Sequence, residues 1–72
     1  MRFYVVSIQH NMDADAENRS IPKAYDTVNE AVREFHRQLS VDMANETLDW
    51  AICLVFDSRM EIIKAEKWTR EE

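Results

Sequence analysis

Glycine is absent from this 72-residue sequence, which has one proline, Pro22, and one cysteine, Cys53. Without glycine the chain cannot form a phosphate-binding glycine loop or a collagen-like repeat, because both need residues that lack a side chain. A single cysteine excludes an internal disulfide framework and every zinc site built from several cysteines. We therefore expect a small domain that holds no cofactor and no metal ion.

Basic residues are scarce, with 9 Lys and Arg against 14 Asp and Glu, so that the net charge is −5. A phosphate backbone repels such a surface, and nucleic-acid binding is disfavoured. An acidic surface suits a basic protein partner instead. The acidic side chains expected on that surface are Asp13, Asp15, Glu17, Asp42, Glu46 and Asp49.

Long hydrophobic runs are also missing from the N-terminal region. The apolar residues 3–6 end at Ser7 and are too few for a signal peptide or a bilayer span. The lone Cys53 suits a reducing compartment. We expect a cytoplasmic protein that does not associate with membranes.

A chain of this length forms one domain, residues 1–72, with a thin core. Such a chain buries only roughly 60% of the surface that it exposes when unfolded. A deep active site is not expected, and we interpret the protein as a non-enzyme. Because no disulfide or metal strengthens the fold, a second copy of the chain is the simplest further source of stability.

Four strands and one helix are predicted. Residues 3–9 and 48–56 are apolar on both alternating faces, which is typical of central strands. Residues 20–25 contain Pro22 and residues 61–68 are mixed in polarity, so both segments favour edge strands. Residues 10–19 are predicted to form a mobile acidic loop and residues 69–72 a frayed tail.

Residues 27–44 have the spacing of an amphipathic helix. Thr27 and Glu30 form a capping-box pattern at its start, and Asn45, which tolerates left-handed backbone, is a plausible end. The predicted apolar stripe consists of Val28, Ala31, Val32, Phe35, Leu39 and Met43.

These elements predict a two-layer α+β fold, β-β-α-β-β, with an antiparallel sheet in the order 2-1-3-4. One helix covers one face only, and we assign it to the bulkier face, which carries Trp50, Ile52, Leu54, Phe56 and Ile63. The other face would be open, and covering it would stabilise the fold. A second copy is the expected cover, with the 10–19 loop or the tail as the alternative. The predicted interface residues are Phe3, Val5, Ala51, Cys53, Val55, Ile62 and Trp68.

A few other side chains could take part in metal binding, catalysis or nucleic-acid binding. The acidic loop begins like a calcium loop but lacks the glycine and the final glutamate that an EF-hand needs, so a solvated loop is favoured. His36 has no predicted nucleophile beside it, and Cys53 lies in an apolar strand that does not activate a thiol. Nucleic-acid binding through an aromatic and basic stretch is kept as an alternative, with Trp68, Lys64, Lys67 and Arg70 as its residues.

Several short motifs lie along nearly the whole chain, at residues 3–5, 9–11, 22–26, 34–36, Gln38, 45–48, Trp50 and 66–68. Together they resemble a group of small uncharacterised proteins that are frequent in prophages and conjugative elements of Gram-positive gut bacteria. The resemblance implies a small accessory role in a mobile element, with no activity or site residues attached.

We interpret the chain as a protein-interaction module, and expect it to form a homodimer through the open sheet face. A protein encoded by the host or by the mobile element is a further possible partner. Single-stranded nucleic-acid binding through the stretch around Trp68 is the alternative function.

Overall fold

The computed structural model describes residues 1–70. It shows one helix and an antiparallel sheet, which confirms the predicted α+β class. In chain order the elements are β1 (Phe3–Asn11), β2 (Ala16–Arg19), β3 (Lys23–Tyr25), α1 (Val28–Ala44), β4 (Leu48–Asp57) and β5 (Ile62–Thr69).

The sheet has five strands rather than the predicted four. Its order is β2-β1-β4-β5, and β3 also pairs with β1. Strand β2 pairs with the end of β1, from Ile8 to Asn11, whereas β3 pairs with its start, from Phe3 to Val5. The two short strands therefore lie end to end along the same edge of β1.

The segment predicted to be a mobile loop, residues 10–19, is a β-hairpin. β1 continues to Asn11, whose side-chain oxygen accepts hydrogen bonds from the backbone N–H groups of Asp13 and Ala14, both at 3.0 Å. Asp15 then takes a left-handed backbone conformation (φ 47°) and β2 begins. An Asx turn and one left-handed residue close this hairpin without glycine, and the strand pattern of β2 is too short and polar to be recognised.

Helix α1 begins as its capping box predicts. The Thr27 hydroxyl accepts a hydrogen bond from the Glu30 N–H at 3.2 Å, and Thr27 in turn donates to the Glu30 carboxylate at 3.0 Å. At the other end Asn45 is the C-cap, but its backbone is extended (φ −83°) rather than left-handed.

The helix lies on the face opposite to the predicted one. Its Ala31 and Phe35 form one core cluster with Val5, Cys53 and Val55 of the sheet. The prediction placed α1 on the bulkier face, and this is wrong. Small side chains at Ala31 and Cys53 let the helix approach the sheet closely, and Phe35 fills the remaining space.

The turn between β4 and β5 is longer than the predicted two-residue loop. The Asp57 side chain accepts hydrogen bonds from the N–H groups of Arg59 (2.8 Å) and Glu61 (3.1 Å), and Met60 is left-handed (φ 66°). Together with a bulge beside Val55, this turn places Ile62 opposite Phe56.

The predicted frayed tail is ordered in the part that the structure describes. Thr69 ends β5, and Arg70 donates hydrogen bonds to the carbonyls of Leu48 (2.9 Å) and Asn45 (2.7 Å). The rest of that prediction, residues 71–72, lies outside the described residues. Within residues 1–70 no helix has the length and the apolar character needed to cross a membrane.

Candidate functional site: the uncovered sheet face

The face of the sheet that points away from α1 has no helix or strand of the described residues packed on it. We call it the uncovered face. Cross-strand partners point to the same side of a sheet, so the registers of β1 with β4 identify its members. Its centre consists of Tyr4, Val6 and Ile8 from β1 and of Ile52, Leu54 and Phe56 from β4.

Two aromatic contacts lie at opposite ends of the β1–β4 pair on this face. The rings of Tyr4 and Phe56 are stacked, with centroids 5.4 Å apart. The imidazole of His10 lies parallel to the indole of Trp50, with centroids 5.7 Å apart. Both are direct cross-strand pairs, which makes the centre of the uncovered face a continuous apolar and aromatic surface.

Charged side chains stand at the edges of the uncovered face rather than at its centre. Arg19 on β2 is registered with Ile8, and Lys67 on β5 with Ile52, so a cation flanks the apolar surface on each side. Glu17, registered with His10, is the acidic side chain of β2 on this side. Two more carboxylates, those of Asp15 and Asp49, are hydrogen-bonded to His10, which lies on this side.

Four of the predicted interface residues are not available to a partner. Val5, Ala51, Cys53 and Val55 are buried on the face that α1 covers, with exposed fractions of 5% or less. These four side chains were placed on the open face because the helix was predicted on the other side of the sheet.

The other three predicted interface residues are divided between the two faces. Phe3 packs against the core under α1, and Trp68 is registered with Ala51 on the same side. Ile62 is registered with Phe56 and is 60% exposed. It is the only one of the seven that the register places beside the uncovered face.

The basic and aromatic stretch around Trp68 does not form one surface. Lys67 points to the uncovered face, whereas Lys64 and Trp68 are registered with residues on the covered side. The Arg70 guanidinium lies 5.1 Å from the centre of the Trp68 ring and is hydrogen-bonded to main-chain carbonyls. The ring and its nearest cation are thus engaged with each other.

His10 joins the acidic hairpin to the sheet. Its Nδ1 lies 2.6 Å from the Asp49 carboxylate and its Nε2 lies 3.0 Å from that of Asp15. The hydrogen bond with Asp49 raises the pKa of His10 above 6.5 and lowers the pKa of Asp49 below 3.8. Asp15 and Asp49 were predicted as parts of an acidic docking surface, and here both are bonded to His10.

Asp42, predicted to be exposed, is completely buried. Its carboxylate accepts hydrogen bonds from the Ser7 hydroxyl at 2.8 Å, from the Gln38 amide at 3.0 Å and from the Gln9 amide. A cavity of about 30 Å³, lined in part by Ser7, Ser20 and Gln38, lies close by and has room for about one water molecule. Gln38 and Asp42 are one helical turn apart, and this spacing was the signal that the sequence analysis missed.

Cys53 is buried in the core, whereas His36 lies on the surface of α1. Burial raises the pKa of the Cys53 thiol to about 11, and its sulfur lies 3.8 Å from the Phe35 carbonyl oxygen. His36 is exposed and lies edge-on to the Phe35 ring, with centroids 5.2 Å apart. A thiol that is protonated and buried at neutral pH is a poor nucleophile.

Comparison of the chain with protein-family models, with curated proteins and with solved structures found no match.

Proposed function

We propose that this protein is a non-enzymatic interaction module whose uncovered face binds the same face of a second copy. The observation that carries the proposal is the position of α1: it covers one side of the sheet, while the apolar centre around Leu54 and Phe56 has no cover from residues 1–70. Two identical apolar faces are complementary to each other about a two-fold axis.

The size of the uncovered face fits such a contact. Four strands about 4.8 Å apart and about 30 Å long cover roughly 600 Å² in projection. The corrugated accessible surface is larger than its projection, and approaches the roughly 800 Å² per partner of a standard interface. The apolar centre is already half-buried among its own side chains, with Val6 only 7% exposed, and contact with a second copy would remove its remaining apolar surface from water.

The charge distribution also favours a second copy. Each chain carries a net charge of −5, so two copies repel at long range. On the uncovered face, however, Arg19 and Lys67 flank the apolar centre, and the carboxylates of Asp15 and Asp49 beside it are both hydrogen-bonded to His10. The acidic side chains remain on the outside of the pair, where a basic protein could bind as a further partner.

The experiment measures the mass of the assembly by light scattering and sedimentation for the natural chain and two variants. Leu54→Lys places a charge at the centre of the uncovered face, and we expect fewer copies per assembly. Val41→Lys is the matched control, because Val41 is an apolar side chain on α1 that is already 49% exposed. We expect its mass to equal that of the natural chain, with unchanged circular dichroism for both variants.

A Leu54→Lys variant with the mass of the natural chain would refute the contact through this face. A natural chain that stays monomeric at high concentration would refute it as well. If that monomer bound a fluorescent single-stranded oligonucleotide with a salt-dependent anisotropy change, the aromatic and cationic side chains of the uncovered face would have to be assigned to nucleic acid instead.

A further inference from the structure

Among residues 1–70, no strand pairs with the outer edge of β5. It is the last strand in the sheet order, and β4 is its neighbour on the other side. In an antiparallel pair, the backbone N–H and C=O groups of successive residues point alternately toward the neighbouring strand and away from it. The Arg70 N–H donates to the Asp49 carbonyl at 2.7 Å, so the backbone groups of Arg70 face β4. Counting back from Arg70, the groups of Glu66 also face β4, whereas those of Ala65 and Lys67 face the open edge.

The order of charges along this edge is self-complementary. Lys64, Ala65 and Glu66 are consecutive and exposed, with the lysine and the glutamate on the same side of the sheet. If two copies of β5 pair antiparallel about a two-fold axis at Ala65, then Lys64 lies directly opposite the partner's Glu66, and Glu66 opposite the partner's Lys64. The two Ala65 residues exchange backbone hydrogen bonds.

We propose that β5 is a second self-association surface, which pairs with β5 of another copy in this register. Two-residue shifts in either direction are disfavoured, because they place Lys64 opposite Lys64 or Glu66 opposite Glu66. The contact is independent of the uncovered face and lies at right angles to it. It joins the sheets of two copies side by side.

Charged residues on an edge strand usually prevent pairing with other chains. The sequence of β5 differs from a simple protective pattern because opposite charges alternate about a small central residue. The Lys64–Glu66 pair would be formed twice in the symmetric contact, and Ala65 presents no bulk at its centre. The bulge beside Val55 lies before this segment, so the ladder from Lys64 onward is regular.

Charge reversal tests the proposed register. In the Leu54→Lys background, which removes the contact through the uncovered face, we expect a dimer. Adding Lys64→Glu should convert it to a monomer, since glutamates then face each other, and adding Glu66→Lys alone should do the same. The double change Lys64→Glu with Glu66→Lys restores both pairs, and we expect the dimer to return.

Mixing provides an additional readout that a folding defect would not reproduce. The Lys64→Glu and Glu66→Lys chains should each be monomeric alone but form a one-to-one dimer when combined. Arg33→Glu is the matched control, because it reverses the charge of an exposed side chain on α1 rather than on β5. We expect it to leave the dimer intact.

The two self-association surfaces give distinguishable failures. If only the edge contact exists, the natural chain is a dimer that responds to Lys64→Glu and not to Leu54→Lys. If only the uncovered face is used, the opposite pattern appears, and the edge proposal is overturned. It is equally overturned if neither the double change nor the mixture restores the dimer.

Discussion

The Asp42 carboxylate is buried between α1 and the sheet, and its hydrogen-bond donors are neutral. Ser7, Gln9 and Gln38 supply them, and none of the ion pairs among residues 1–70 includes Asp42. A buried carboxylate without such donors would be strongly destabilising, so the four side chains act as one unit. This unit fixes the helix against the strand at one position, whereas apolar contacts alone would let it slide.

Removing this carboxylate should therefore destabilise the fold more than a surface change does. For Asp42→Ala we expect a loss of about 3 kcal/mol in the free energy of unfolding, because one buried donor and two half-buried donors lose their acceptor. Urea unfolding measures it, with Glu46→Ala as the control for loss of an exposed carboxylate. A loss in Asp42→Ala as small as in the control would show that the unit contributes little.

The contact of His10 with Asp49 makes part of the stability depend on pH. The pKa of His10 in the fold is above 6.5, so its contribution is complete below pH 6.5 and is lost as the pH rises through the pKa of the folded state. The pKa of Asp49 is below 3.8, so its contribution is present above pH 3.8 and is lost as the pH falls through its lowered value. The His10–Asp49 pair therefore contributes most to stability between pH 3.8 and pH 6.5.

Nuclear magnetic resonance of the imidazole protons tests this pair. In the natural chain we expect His10 to titrate above 6.5, and in Asp49→Asn its pKa should fall because the principal hydrogen-bond acceptor has lost its charge. The difference in stability between the two chains should shrink as the pH rises through the titration of His10. A His10 that titrates at or below 6.5 in the natural chain would contradict the geometry.

Helix α1 shows which properties of an element can be predicted from a single sequence. Its start was predicted correctly because the Thr27 and Glu30 pattern acts locally, within one turn. Its buried side was predicted only in part, since Val28 and Met43 are exposed and Asp42 is buried instead. The position of Asp42 depends on Ser7 and Gln9 in a distant strand, and such pairing is not visible in helical periodicity.

The two faces of β4 were distinguishable only by size, and the larger side chains suggested the wrong one. A helix packs well on a sheet when it can approach the strands closely, and not only when the side chains between them are large. The small side chains of Ala51 and Cys53 permit this close approach. Trp50 and Phe56 on the other side would hold a helix away from the strands. The short β2 was not predicted because its four residues, all exposed, have no apolar face.

The sequence predicts that one face of the sheet stays open, but it does not identify which face. Two central strands that are apolar on both sides, with one helix to cover them, imply an open apolar face whichever side the helix chooses. Because the helix was assigned to the wrong side, most of the residues predicted for the open face belong to the covered face. The proposed edge contact about Ala65 depends on how β5 is aligned with β4 after the bulge beside Val55. The residue pattern of one strand does not specify that alignment.

Assembly through both surfaces would change the response of the whole molecule to dilution. Pairing of β5 edges joins two sheets and doubles the uncovered face, and two such pairs can then stack face to face with closed symmetry. Folding is then linked to association, so the stability of each chain rises with protein concentration.

We therefore expect the thermal midpoint of the natural chain to increase with concentration. For a two-chain contact, a tenfold increase in protein concentration raises the free energy of unfolding by roughly 0.7 kcal per mole of chain. In a domain of this size, that corresponds to a rise of about 3–5 °C in the thermal midpoint. The chain that carries both Leu54→Lys and Lys64→Glu should melt at a midpoint independent of concentration, because it has lost both contacts. Differential scanning calorimetry over a range of dilutions compares the two. A natural chain whose midpoint is as insensitive to dilution as that of the double variant would mean that each copy folds and functions alone, with its apolar sheet face in water.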